Sequence, residues 1–283
     1  MQNNTNLSCK DVLSTVDAFF FDLDGCIYHT DQLASGANEL LELLRQSGKK
    51  VGFITNNSRE TGVEIAKKLK NMGLSVTPGQ IVTATEMTGA YLKEKYGSLN
   101  VKVVGSEALG QSLERWGHHV LALEEADKVD AVVVGRDTEF TFDKLHLVAE
   151  LEGKGARVVS TNPDMYHPGK GGVRVPETGA LIAAIEAIIQ KSVEYVGKPD
   201  PYLFQFGMNL FEAAPSKSVM VGDNLETDIK GGIQAGMHTI WIRGAGMGQS
   251  LDDLEERTQK PDVTINQLDE LLVNFQEFVM MTK

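Results

Sequence analysis

The chain has 283 residues, of which 42% are apolar and 23% charged, and a net charge of −12. These are ordinary values for a globular protein, and the length suits a sizeable core and favours two domains over one. So acidic a chain repels nucleic acid and anionic membrane, which removes both as general partners, and its two cysteines, Cys9 and Cys26, supply neither a disulfide framework nor a zinc set.

The polar opening, MQNNTNLSCKDVLST, has no basic segment followed by an apolar core, so it does not read as a signal peptide. No apolar run approaches the ~20 residues of a membrane span. A cytoplasmic protein is expected, and the Asn-x-Ser/Thr matches at Asn3, Asn6 and Asn56 then carry no weight.

Strand-like runs follow at 16–21 (VDAFFF), 50–55 (KVGFIT), 101–105 (VKVVG), 130–135 (DAVVVG), 156–160 (ARVVS), 218–222 (SVMVG) and 238–242 (HTIWI). Helical patterns lie between them. Residues 36–48 put Leu40, Leu41, Leu43 and Leu44 on one stripe before Gly48, and 60–73 do the same with Val63, Ile65, Ala66 and Leu69 before Gly73. Residues 178–190 form a more apolar helix. Strands alternating with helices imply βαβ units, and continuous apolar runs imply parallel strands buried on both faces. The fold class is therefore α/β. Turn signals at 75–80 (SVTPGQ) and 167–179 (HPGKGGVRVPETG) bracket a segment with strands of its own, which suggests an inserted domain. VGSEALG is not the dinucleotide fingerprint, and VGKPD lacks the spacing of a P-loop. The adjacent His118 and His119 have no neighbouring ligands and read as surface residues.

Four short stretches carry chemistry. The first strand ends in Asp22-Leu23-Asp24-Gly25. Residues i and i+2 of a strand share a face, so both carboxylates address one space, where like charges disfavour each other's ionisation. Asp24-Gly25 equally makes a turn. The second strand ends in Ile54-Thr55-Asn56-Asn57-Ser58, which offers a hydroxyl, an amide and the start of a helix near Ser58 to an anion; Asn57 or Ser58 equally serves as a plain helix cap. VGKPDPYLF places Lys198 between a strand and a helix, where it is either a phosphate-binding cation or a solvated lysine. VMVGDNLETDIKGG places Asp223 at a strand end and Asp228 five residues on, either as part of a metal site or as a turn and a helix-start acid. Taken together, these groups come to one edge of one sheet, where open α/β sheets bind ligands. Carboxylates, a threonine, an asparagine and a lysine are the equipment of phosphoryl transfer with Mg2+, a hard cation that takes oxygen ligands.

In this order the stretches D-x-D-G, T-N-N, G-K-P and G-D-N-x-x-x-D resemble the four motifs of the haloacid dehalogenase superfamily. DAVVVGRDTEFTFDKL, STNPDMYHP and ETGALIAAIE resemble more narrowly its NagD / p-nitrophenyl phosphatase-like subfamily, and the resemblance runs from about Asp17 to Gly246. It implies a Rossmann-like parallel-sheet core at 1–77 and 178–283 with an α/β C2-type cap inserted at 78–177. It implies a Mg2+-dependent phosphatase of small phosphorylated metabolites, of the p-nitrophenyl phosphate, nucleoside monophosphate, sugar phosphate, pyridoxal phosphate or phosphoglycolate type. Asp22 matches a nucleophile that becomes an aspartyl-phosphate, and Asp24 a general acid/base. Thr55 and Asn56 match the phosphate-binding motif, flanked by Gly25 and Asn57, and Lys198 matches the lysine that holds phosphate and nucleophile. Mg2+ falls to Asp22, the carbonyl of Asp24 and Asp223, with Asp228 supporting. His167-Pro168 resembles a cap dipeptide that contacts substrate, Arg136 is a cap position that either pairs with a substrate carboxylate or second phosphate or lies in solvent, and a homodimer through the cap is a further expectation of the resemblance. Cys26 stands where many relatives carry Thr or Val; as a small residue it keeps the turn.

Other readings remain. A dehalogenase needs no metal and leaves Asp24 and Asp223 without a purpose. A phosphomutase fits the large insertion poorly. A phospho-receiver domain shares the strand-end Asp, Thr and Lys but is normally about half this length, and an idle binding protein on this fold would be expected to have lost a motif.

Overall fold

The computed structural model describes residues 8–125, 128–169, 173–243 and 260–282. Asn3, Asn6 and the end of the family-like stretch at Gly246 lie outside them. The strands in chain order are β1 (Ala18–Phe21), β2 (Tyr28–His29), β3 (Gln32–Leu33), β4 (Lys50–Thr55), β5 (Ile81–Thr83), β6 (Asn100–Val104), β7 (His119–Leu121), β8 (Ala131–Val134), β9 (Arg157–Ser160), β10 (Tyr166–Pro168), β11 (Arg174–Pro176), β12 (Glu194–Tyr195), β13 (Ser218–Gly222), β14 (His238–Ile242) and β15 (Val263–Ile265). The α-helices are α1 (Cys9–Thr15), α2 (Ala37–Gln46), α3 (Gly62–Asn71), α4 (Ala84–Tyr96), α5 (Glu107–Arg115), α6 (Phe142–Gly153), α7 (Thr178–Ile189), α8 (Tyr202–Leu210), α9 (Lys230–Gln234) and α10 (Leu268–Thr282). All seven expected strands are present.

Contacts divide the chain into two compact units, Met1–Ile54 with Ala66–Ile81 and Phe204–Lys283, and Thr55–Ile65 with Val82–Leu203. The first unit is built on a sheet of order β15-β14-β13-β1-β4-β5. From β15 to β4 every neighbouring pair is parallel. The central strand β1 is buried along its whole length, as a parallel strand covered on both faces must be. Phe19 stacks on Phe21 at 6.4 Å between ring centroids and meets Phe275 of α10 edge-on at 5.9 Å. On the other face Phe20 meets Phe211 edge-on at 5.5 Å. Gly52 leaves room for that pair: a Cβ there would lie 2.8 Å from Phe211 and 3.0 Å from Phe20.

The second unit has a five-stranded sheet of order β12-β9-β8-β6-β7, parallel throughout. Its core joins Val104, Val132 and Val134 to Val148 of α6 and to Ile182 and Ile185 of α7. A short antiparallel hairpin, β10–β11, pairs His167 with Val175.

Four expectations need correction. The strand before Lys198, β12, pairs with β9 in the five-stranded sheet, so the four polar strand ends do not all belong to one sheet. Helix α3 starts at Gly62 rather than near Ser58, because Thr61 and Glu64 form a reciprocal cap: Glu64 Oε2 accepts from Thr61 N at 2.7 Å, and Thr61 Oγ1 from Glu64 N at 3.3 Å. Val63 is exposed, since it lies about 200° round the helix axis from Ile65. His118 is buried rather than superficial: its Nδ1 accepts from Leu99 N at 3.2 Å and its Nε2 faces the Gly89 carbonyl at 2.9 Å, the pattern of the tautomer that carries its proton on Nε2.

Because Phe19 is fully buried between two aromatic partners, Phe19→Ala should lower the unfolding free energy by about 3–5 kcal/mol. Urea unfolding with an unchanged m-value checks this; a loss below about 1 kcal/mol would show that the core collapses around the gap.

Candidate active site

In the first unit, β1 and its neighbour β13 run parallel, so the residues that follow them emerge at the same sheet edge. After β1, the Asp22 N–H continues the ladder by donating to Val221 O at 2.9 Å. The chain then turns sharply. Gly25 N donates to Tyr28 O at 2.8 Å, Tyr28 N to Leu23 O at 3.0 Å, and Gly25 takes φ +90°, which favours glycine. A Cβ on Gly25 would also lie 2.4 Å from Asp223 Oδ2. Asp223 follows β13, and its carbonyl accepts from the buried indole of Trp241 on the adjacent strand β14 at 2.9 Å. The chain next makes a π-helical turn over Leu225–Ile229. That turn carries Asp228 back toward the strand end, where its Oδ2 accepts from Asn224 N at 3.1 Å and would lie 2.3 Å from a Cβ on Gly222. A π-turn of this kind often marks a functional site.

One oxygen each from Asp22, Asp223 and Asp228 therefore lie within 4.8 Å of one another. The three residues are 8%, 7% and 1% exposed. Buried carboxylates this close repel, and an opposite charge among them offsets that cost. A set made only of oxygen donors fits a hard divalent cation such as Mg2+. Asp24 is not a member of the cluster; it is exposed and bridges to Tyr28, whose ring carries the Lys68 ammonium at 4.4 Å.

In the second unit, Thr55 closes β4, and its Oγ1 accepts from Asn57 N at 3.2 Å. The Asn57 side chain caps the turn that follows, accepting from Arg59 N at 2.9 Å and Glu60 N at 2.8 Å and donating to Glu60 Oε2 at 2.8 Å. Asn57 thus caps this turn and not helix α3, which begins at Gly62 behind the Thr61–Glu64 cap. Lys198 is 2% exposed. Asn56 donates to the Lys198 carbonyl at 2.9 Å and accepts from the Lys198 N–H at 2.7 Å. Arg136 and His167 also meet, through a residue the sequence did not single out. Glu177 Oε1 lies 3.1 Å from Arg136 Nη1 and 2.7 Å from His167 Nδ1. The Arg136 N–H donates to Ser58 Oγ at 3.1 Å, and Ser58 Oγ lies 3.1 Å from Thr178 Oγ1. Glu177 precedes a helix, and nothing in its local sequence announces an ion pair with a residue 41 positions earlier.

Residues 19–119 match the family model of haloacid dehalogenase-like hydrolases, and residues 195–271 match a second HAD-hydrolase-like model. The chain belongs to this family. It is 34% identical to the 4-nitrophenylphosphatase of Thermotoga maritima, over 92% of this chain and 97% of that one, with a TM-score of 0.83. It is 29% identical over 260 residues to the acid sugar phosphatase of Staphylococcus aureus, covering 92% of this chain and 98% of that protein. The glycerol phosphate phosphatase of Mycobacterium tuberculosis, crystallised with magnesium, is 26% identical with a TM-score of 0.83, over 92% of this chain and 77% of that one.

Burial pushes the Glu177 carboxyl up, against the pull of Arg136 and His167. A raised native value means that the folded state binds more protons than the unfolded chain between the two values, so stability falls as pH rises through that window. The unfolding free energy of the wild type, taken relative to Glu177→Gln, should therefore decline as pH climbs through the acidic range and level off above it. A difference that rises over that range in pH-dependent denaturation would contradict this.

Proposed function

We propose that the protein is a Mg2+-dependent phosphatase of small phosphorylated metabolites, working through an aspartyl-phosphate on Asp22. The observation that carries this reading is the gathering of Asp22, Asp223 and Asp228 at the end of two neighbouring parallel strands, with Asp24 two residues beyond the nucleophile. The kinship with named phosphatases supports it. The division into a core at 1–77 and 178–283 and a cap at 78–177, a homodimer through the cap and a cytoplasmic location belong to the same proposal.

The chemistry uses each group differently. A carboxylate nucleophile needs no base to attack phosphorus; a P–O bond forms to the Asp22 carboxylate as the ester P–O bond breaks. Asp24 gives its proton to the departing alkoxide. It then takes a proton from a water that attacks the same phosphorus, releasing inorganic phosphate and restoring the Asp22 carboxylate. Lys198, Thr55 and the backbone of the Asn56 loop hold the phosphoryl oxygens, and the lysine offsets their charge in a loose transition state. Asp22, the Asp24 carbonyl and Asp223 would hold Mg2+, with Asp228 behind them; when bound, the ion neutralises charge on the transferring group and on the carboxylates. Arg136 and His167 would meet the remainder of the substrate.

p-Nitrophenyl phosphate hydrolysis tests this directly. Activity should require Mg2+, vanish with chelator and vanish in Asp22→Asn, while Asp24→Ala should lose roughly 10²–10⁴-fold in rate. Turnover indifferent to chelator, or surviving in Asp22→Asn, would sink the mechanism. A panel of sugar, nucleoside and glycerol phosphates then assigns the substrate class.

A further inference from the structure

The Asn56 amide has two donors, and both are engaged inside the second unit. One N–H donates to the Lys198 carbonyl at 2.9 Å and the other to Asp164 Oδ2 at 3.0 Å. Its Oδ1 accepts from the Lys198 N–H at 2.7 Å. A phosphate oxygen is an acceptor and can bond this side chain only where a donor remains. The amide instead brackets the backbone of one residue, reading its N–H and its C=O together. Its orientation is fully determined, because a flip would set Oδ1 against a carboxylate and the NH2 group against an N–H.

The surroundings are built for this clasp. A Cβ on Gly197 would lie 2.5 Å from Asn56 Oδ1, so the residue before the lysine has to be this small. Asn162 Nδ2 donates to the Asn56 carbonyl at 2.8 Å, and Asn162 Oδ1 accepts from Asp164 N at 3.0 Å. The Asp164 carbonyl in turn accepts from Gly179 N at 2.8 Å at the start of α7. Asp164 is thus held by its own backbone and presents its carboxylate to the amide.

We propose that Asn56 and Asp164 are positioning residues for Lys198: the amide fixes the lysine's backbone, and Asp164 fixes the amide. The proposal rests on the reading of Lys198 as the residue that holds the transferring phosphoryl group. It gives Asn56 a task other than ligating phosphate with its side chain, and it gives Asp164 a task for the first time. A lysine displaced by about 1 Å would lose up to ~10²-fold in rate.

The test measures kcat/KM for p-nitrophenyl phosphate and the inhibition constant of inorganic phosphate on the full chain, with thermal melts for each variant. Asn56→Ala and Asp164→Ala should each lower kcat/KM by about 10–100-fold, and the double variant should be no worse than Asn56→Ala, because Asp164 acts through the amide. In a Lys198→Ala background, adding Asn56→Ala should leave phosphate inhibition unchanged. Multiplying losses in the double variant would overturn the role of Asp164, and an undiminished effect of Asn56→Ala without the lysine would make Asn56 a phosphate ligand itself. Asn56→Asp guards against alanine variants that do not fold. It sets a carboxylate against Asp164 and should cost more than Asn56→Ala; Asp164→Asn should recover part of that loss by reversing the donor. No recovery would overturn the proposal. Should Lys198→Ala alone leave both constants unchanged, the assignment of Lys198 fails first and separately, whatever the Asn56 variants do.

Discussion

Three carboxylates drawn into one buried cluster set the terms for the rest of the first unit. Asp22, Asp223 and Asp228 come from two different stretches of chain, and nothing about their mutual repulsion brings them together. The sheet does that. β1 is anchored on both faces by aromatic rings, and its ladder to β13 continues one residue past the strand to the Asp22 N–H. The hydrophobic burial of the strands therefore holds the acids close, and a cation among them would offset their repulsion. This is the usual relation between a stable scaffold and a locally destabilised site.

Small residues make the approach possible. Gly25 belongs to the first acidic stretch and faces Asp223 from the other; Gly222 faces Asp228. A side chain at either would push a carboxylate out of the cluster. Trp241 adds a third restraint, since its buried indole holds the Asp223 carbonyl from the neighbouring strand. The π-turn supplies the last one: its wider winding puts the Asp228 carboxylate on Asn224 N and beside the strand end. The fold thus fixes the main chain around each acid.

Much of this was legible in the sequence. An apolar run that stops at Asp22 gives both the strand and its polar end, and the same pattern at Thr55 and Gly222 gives two more ends at that edge. What escaped reading depends on distance along the chain. Glu177 becomes the partner of Arg136 and His167 only because β8, the β10–β11 hairpin and the start of α7 converge. His118 reads as a surface residue in the sequence because no metal ligand lies near it, yet two backbone groups distant in the chain bind its ring. The start of α3 was misplaced because Asn57 and Ser58 have capping chemistry of their own, and the Thr61–Glu64 cap outcompetes them. Short strands such as β2, β3 and β12 have two residues each, too few for a pattern to show.

Two buried lysines of the second unit show why the placement of hydrogen bonds says more than burial. Lys102 and Lys198 are each 2% exposed. The Lys102 ammonium donates to the carbonyls of Leu123 at 2.7 Å and Glu125 at 2.6 Å, so its charge is committed to holding a loop. Lys198 is gripped at its backbone, on both its N–H and its C=O, by a single amide. A grip on the ammonium secures the main chain that surrounds it. A grip on the backbone secures the base of the side chain, so the two lysines are held at opposite ends by different partners: carbonyls on the Lys102 ammonium, an amide on the Lys198 main chain.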